Sequence, residues 1–351
     1  MNGKLQELLV NRLGKGRVRF NEPMRAHTNF RIGGPSDAFY EARTVDEVKN
    51  ALEASNDLSI PYFILGIGAN ILVGERGIRG LTIKMSNNYM EVVGPLTGRT
   101  KELTKLSQTH YKSFDTTHYL KFEDLDLTEP PADTLIKSGA GVSLPVLISW
   151  TLGQGLTGLQ NFSGIPSSVG GAVYNNIHGG TKLFDQFINK VVLLDKDGTE
   201  KEVSHDEMEF SYDYSRIQKS GEIVVEVIFN LSHGDIEKAE WVRQEWLKRK
   251  LLFQPQKNCP GCIFKNISKE DAKRIGAPTV AAGWVLDIGL NLKGKKIGGV
   301  SVSPQHANFF VNDGKGKASD VTELTNFCKT KAKEKYGLEL VEEIQMVGEF
   351  Q

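Results

Sequence analysis

Apolar and polar residues alternate through DAFYEAR, residues 37–43, and the spacing then lengthens to three or four in TVDEVKNALEASN, residues 44–56. Side chains alternate across a strand and recur every 3.6 residues around a helix, so the first pattern predicts a half-buried strand and the second an amphipathic helix. Thr44 and Glu47 form a capping-box signature at the helix start. PYFILGIGANILVG, residues 61–74, predicts a strand running into a glycine turn, which gives a small β-α-β unit over 37–73 after a polar N-terminal arm. From residue 134 onward LIKSGAG, KVVLLDKDG and EIVVEVIFNL predict strands, and SLPVLISWTLGQG a helix, separated by glycine-rich loops. A helix from Asp235 to about Leu251 carries Ile236, Trp241, Val242 and Trp246 and is expected to bridge to another unit. The last third closes with a helix from Ser319 as N-cap to Gly337 as C-cap, with Cys328 on its apolar face, and then a strand in LELVEEIQMVGEF.

This order predicts an α+β protein with units at 1–85, 86–245 and 246–351. Between about 88 and 133 the pattern fails: THYKSFDTTHYLKFEDLDLTEPPAD is charged and aromatic without a period and reads as a lobe inserted into the second unit. His110, Asp115, His118 and Glu123 lie there, but metal sites need converging ligands, and alternating acids and aromatics fit a surface lobe better. Lys+Arg and Asp+Glu balance at 43 each, so no overall field draws the chain to nucleic acid or an anionic membrane. The run Lys248-Arg249-Lys250 reads as the solvated end of a helix. The amphipathic N-terminus and the lack of a long apolar stretch predict a cytoplasmic protein, where the three cysteines stay reduced.

Two loops carry the first chemistry. Gly66-Ile67-Gly68-Ala69-Asn70 follows a buried strand, and its small residues let backbone N–H groups approach a phosphate. It does not continue as a Rossmann fingerprint, which needs G-x-G-x-x-G entering a helix. The second loop, QNFSGIPSSVGGAVYNNIHGG, contributes Gly164, Ile165, Pro166, Gly170, Gly171 and Ala172. Together they fit a long dinucleotide lying between units. Cys259 and Cys262 stand in C-x-x-C spacing, which admits a zinc site, a disulfide or incidental spacing; no second ligand pair supports zinc.

At this point the chain resembles a known family. Thr28-Asn-Phe-Arg-Ile-Gly-Gly34, GIGAN, SGIPSSVGGAVYNN, GCIFKN, AGWVLDIGLNLKG, HANFFVN and the terminal EIQMVG occur in the order seen in UDP-N-acetylenolpyruvoylglucosamine reductases, also called UDP-N-acetylmuramate dehydrogenases. The resemblance covers roughly 20–87 and 134–351, and the short stretch 231–235 places the chain with the branch lacking an extra tyrosine-bearing loop. It implies a flavin-binding fold of the vanillyl-alcohol-oxidase type, two subdomains holding non-covalent FAD and a third closing over substrate, in a cytoplasmic enzyme expected to be a monomer. It also implies the reaction: NADPH reduces FAD, and the flavin reduces the enolpyruvyl ether of a UDP-sugar to the lactyl ether for peptidoglycan. In the family's G-[SC]-x-F-K-N motif the second residue donates a proton, which here implies Cys262. The C-terminal glutamate of the family matches Glu343, and Tyr212, Lys265, Asn266 and His306 match substrate-contacting positions. One departure matters. The family's Y-R-x-S motif supplies a cation near the substrate carboxylate, whereas this chain reads Tyr212-Asp213-Tyr214-Ser215-Arg216, so Arg216 is expected to reach in from three positions on. Ala69 stands where the family usually has serine.

Overall fold

The structure is a computed structural model that describes residues 1–96, 125 and 127–351. The predicted strand at 37–43 is Pro35–Ala42, and the predicted helix is Val45–Asp57. Thr44 Oγ1 accepts the Glu47 N–H at 3.1 Å, but the box does not close reciprocally. Glu47 instead accepts the Arg43 N–H and the Arg17 guanidinium, which clasps the strand below. The arm before it is not irregular: Asn2 caps a helix Gly3–Leu13, and strand Val18–Pro23 pairs antiparallel with Pro35–Ala42. Ile78–Met85 and then Tyr62–Leu65 continue that sheet in parallel.

A second sheet is antiparallel throughout, in the order Glu200–Ser204, Ile188–Leu194, Ile223–His233, Thr134–Gly139, Met90–Pro95. The first residues assigned to the inserted lobe are therefore a sheet strand, and residues 96 and 133 sit side by side at the open end of a hairpin, where the Leu96 N–H meets the Asp133 carbonyl. His110, Asp115, His118 and Glu123 lie outside the described residues. The returning chain docks Leu125 onto Val242 and Trp246 of helix Ile236–Phe253, which Asp235 caps. Ala239, Val242 and Trp246 share the buried face of that helix; Trp241, expected there, points outward, one residue and about 100° away. Among the described residues no helix is long and apolar enough to cross a membrane.

One hydrophobic core runs from Leu9 to Ala239 and joins both larger sheets. A second core belongs to the C-terminal unit, whose three-stranded sheet Lys296–Ile297, Val300–Val302, Phe310–Asn312 packs on helix Ala318–Tyr336. Phe30, Ile32 and Leu72 from the N-terminal sheet region are buried in that second core, each at roughly 1.5–3 kcal/mol, so the units are welded rather than tethered. The last helix begins two residues before the expected Ser319, because the Asp320 carboxylate takes the Lys317 and Gly299 N–H groups at 3.0 Å. Gly337 ends it in the left-handed conformation as expected. Only Gln345–Val347 of the terminal stretch is a strand, added in parallel to Ile71–Val73. Residues 341–343 pair instead with 263–265.

Candidate active site

The loop Gly66–Asn70 turns where Gly68 takes φ +69°, and a Cβ there would lie 2.0 Å from the His27 carbonyl oxygen, so only glycine fits. The backbone N–H groups of Ile67, Gly68, Ala69 and Asn70 have no acceptor among the described residues. Four consecutive free donors beside a glycine are the geometry that cradles an anionic phosphate. The second glycine loop closes on the first: a Cβ on Gly66 would come within 2.6 Å of Ser168 Oγ. The arrangement fits a dinucleotide cofactor such as FAD, with the 66–70 loop as its phosphate cradle. Within the second loop the residues divide. Gly170 donates to the Ala140 carbonyl and sits tight against Ala140, Gly171 donates to Ser168 Oγ, and Ala172 is wholly buried, so these three shape the wall. Gly164, Ile165 and Pro166 remain solvent-facing.

Asn70 also reaches the far end of the chain. Its side chain donates to the Glu343 carbonyl at 3.2 Å, and its carbonyl accepts the Gln345 N–H at 3.1 Å. The phosphate loop therefore holds the segment bearing Glu343. Cys262 stands beside it, because Ile263 accepts the Glu343 N–H at 2.8 Å and Cys262 bridges to Phe309. Asn308, which sequence reading passed over, fixes this strip: its side chain accepts from the Phe264 N–H at 3.0 Å and donates to the Phe264 carbonyl at 2.8 Å. An asparagine flanked by apolar residues reads as core packing until the partner strand is placed.

Cys262 and Glu343 are both half-buried, and their ionisation is strongly perturbed. Burial first, then the nearby carboxyls of Glu343 and Asp213, pushes the Cys262 thiol well above its ordinary value. Burial and Asp213 raise Glu343 to about 8, against the opposing pull of His178 and Lys265. Both side chains therefore hold their protons at neutral pH. Cys262 is a weaker acid than a free thiol, yet wholly protonated. Two proton-bearing groups in one cleft is the arrangement expected of general-acid chemistry. Cys259, by contrast, donates its thiol to the Pro255 carbonyl at 3.3 Å.

The remaining sequence-predicted residues are placed unevenly. Tyr212 OH accepts from Asn266 Nδ2 at 3.1 Å, and Lys265 is near enough to stabilise the Glu343 carboxylate. His306 lies against Phe309 at 4.7 Å and accepts the Asn308 N–H through Nδ1; burial and Lys293 drive it down to about 4, so it is neutral and acts on the strip behind Cys262. Arg216 does not reach the cleft. Its guanidinium grips Glu222 at 3.1 and 3.2 Å and the Glu207 carbonyl at 3.1 Å, and Glu222, nearly buried, holds it there. Lys250 corrects the reading of its basic run. Lys248 is solvated, but Lys250 turns inward over the Trp246 ring and against Gly164, and burial lowers it to about 7. A separate cavity of about 380 Å³ near Glu75, Asn326 and Phe350 contains none of these residues.

An α+β chain with a dinucleotide cradle, opening onto a cleft with two proton-holding acids, defines a flavin-dependent reductase. Residues 114–204 match the sequence model of an FAD binding domain, and residues 254–347 that of the UDP-N-acetylenolpyruvoylglucosamine reductase C-terminal domain. The UDP-N-acetylenolpyruvoylglucosamine reductase of Halalkalibacterium halodurans is 33% identical over 338 residues, 95% of each chain. That of Caldanaerobacter subterraneus subsp. tengcongensis is 31% identical over 98% of this chain and 100% of its own. The crystal structure of the Thermus caldophilus enzyme superposes with a TM-score of 0.67 at 26% identity, covering 94% of this chain and 98% of that one. The chain belongs to the UDP-N-acetylenolpyruvoylglucosamine reductase family, and it shares that family's fold with an FAD binding domain.

Proposed function

We propose that the chain is an FAD-dependent, NADPH-consuming enzyme that reduces UDP-N-acetylglucosamine enolpyruvate to UDP-N-acetylmuramate for peptidoglycan. The observation that carries this reading is the seating of Cys262 beside the segment that bears Glu343, which Asn70 fastens to the phosphate loop. When bound, FAD takes a hydride from NADPH and supplies one to the methylene carbon of the enolpyruvyl group. The electron pair displaced from that double bond builds charge onto the adjacent carboxylate, and the α-carbon then takes a proton. Cys262 is the proton donor, since its environment keeps the thiol protonated until the carbanionic carbon arrives. Glu343, uncharged at pH 7, donates a hydrogen bond to the carboxylate without repelling it. Lys265, Asn266 and Tyr212 fit the positioning of the anionic substrate, and residues 66–70 and 164–166 the non-covalent holding of the cofactor. NADPH and the UDP-sugar do not diffuse across membranes, and the three thiols are unpaired, which supports a cytoplasmic enzyme; we take it to act as a monomer.

Anaerobic stopped-flow absorbance at the flavin band tests the reading. NADPH should bleach the flavin, and the UDP-sugar should restore it. A yellow protein that NADPH reduces but the UDP-sugar leaves reduced would point instead to another oxidoreductase of this fold, and one that NADPH cannot reduce to a non-catalytic flavin-binding relative.

A further inference from the structure

The reaction leaves one charge unaccounted for. A second negative charge builds on the substrate's carboxylate as the hydride adds, in a cleft that already holds Asp213, and Arg216 is spent on Glu222. His178 fills the gap. Its Nδ1 lies 3.6 Å from Asp213 Oδ1, and its ring stacks on Tyr212 with centroids 5.2 Å apart at 26°. Nε2 has no protein partner among the described residues, and the side chain keeps 38% of its surface open to the cleft. Asp213 is fixed: it takes φ +51° in a turn closed by Ser211 and Tyr214, its carbonyl accepts from Gln218, and it is only 9% exposed. Its second oxygen, Oδ2, is buried without a hydrogen-bond partner. A carboxylate beside Nδ1 favours the charged ring, whose Nε2–H is then free to donate.

We propose that His178, oriented by Asp213, is the cation that receives the substrate carboxylate and offsets the charge developing on it, an inference that rests on the reductase reading above. Asp213 is the positioning residue, so the aspartate that cannot replace an arginine works by holding a histidine that can. The groups facing His178 are Asp213 from the 211–214 turn, Glu343 from the terminal segment, Lys250 from helix Ile236–Phe253 and the Tyr212 ring. Burial and Lys250 oppose the charged imidazole, but Asp213, joined by Glu343 only once that carboxyl ionises, raises its pKa above the ordinary value. Carboxylate binding is therefore strong below that pKa and weakens as pH rises through it.

The holoenzyme and its H178A, H178Q and D213N variants test this, with flavin content confirming that each folds. The readouts are calorimetric binding of UDP-N-acetylmuramate from pH 5.5 to 8.5, NMR titration of the His178 ring, and reoxidation by the UDP-sugar. Both His178 variants should reoxidise on the order of 10²-fold more slowly. H178Q should also bind the product weakly, without the fall in affinity that the wild type shows as pH rises. D213N should move the His178 titration and the binding midpoint to lower pH together. H178Q that binds with the wild-type pH profile and reoxidises at the wild-type rate overturns the inference alone. A wild type that the UDP-sugar cannot reoxidise overturns the reductase reading and this inference with it.

Discussion

Glu343→Gln exchanges a buried carboxyl for a neutral group of the same shape, and the consequence for stability follows from proton linkage. The folded carboxyl keeps its proton to about pH 8, whereas an unfolded glutamate releases it near 4.5. Between those values the folded protein binds the extra proton, so stability falls as pH rises. The slope is at most about 1.4 kcal/mol per pH unit, which gives an upper bound of about 3 kcal/mol between pH 5 and 7.5. Because solvent reaches the cleft, screening reduces this to about 1–2 kcal/mol. At pH 5 both proteins carry a neutral group at 343 and should melt together; at pH 7.5 Glu343→Gln should melt ~2–5 °C higher. Differential scanning calorimetry at the two pH values, with matched flavin content, measures the difference. A melting gap that is equal at both pH values, or a wild type that gains on the variant as pH rises, refutes the claim that the cleft holds Glu343 protonated.

Three further outcomes follow from the same geometry. Cys262→Ser should retain measurable reoxidation by the UDP-sugar because a hydroxyl still donates, while Cys262→Ala should lose about 10²-fold or more, read by single-turnover stopped flow. Gly68→Ala should abolish flavin retention, since the Cβ meets the His27 carbonyl at 2.0 Å and distorts the cradle; absorbance of the purified protein at the flavin band reports it. Arg216→Ala should act on stability, leaving the nearly buried Glu222 with Lys201 as its remaining cation at a cost of about 1–3 kcal/mol, measured as a lower melting temperature.

Much of this molecule was legible in one dimension. Local period and capping chemistry set the helices at Val45–Asp57 and Ile236–Phe253 and the long strand Ile223–His233, because side-chain spacing and N-cap acceptors act within a few residues of the element they define. The ordered motifs were enough to point to the phosphate loop, Cys262 and Glu343. What the sequence left undecided depends on which segments become neighbours. The expected terminal strand shrank to Gln345–Val347 because residues 341–343 found partners at 263–265, a pairing across some 80 residues that no local pattern encodes. Lys250 is half-buried because its stem packs against the loop at Gly164. Charge is the clearest case: by spacing alone Arg216 is the nearest cation to Asp213, yet Glu222 captures it, while His178, 35 positions upstream, folds against Asp213. Electrostatic roles are set by distance and burial in three dimensions, and only the tertiary structure supplies either.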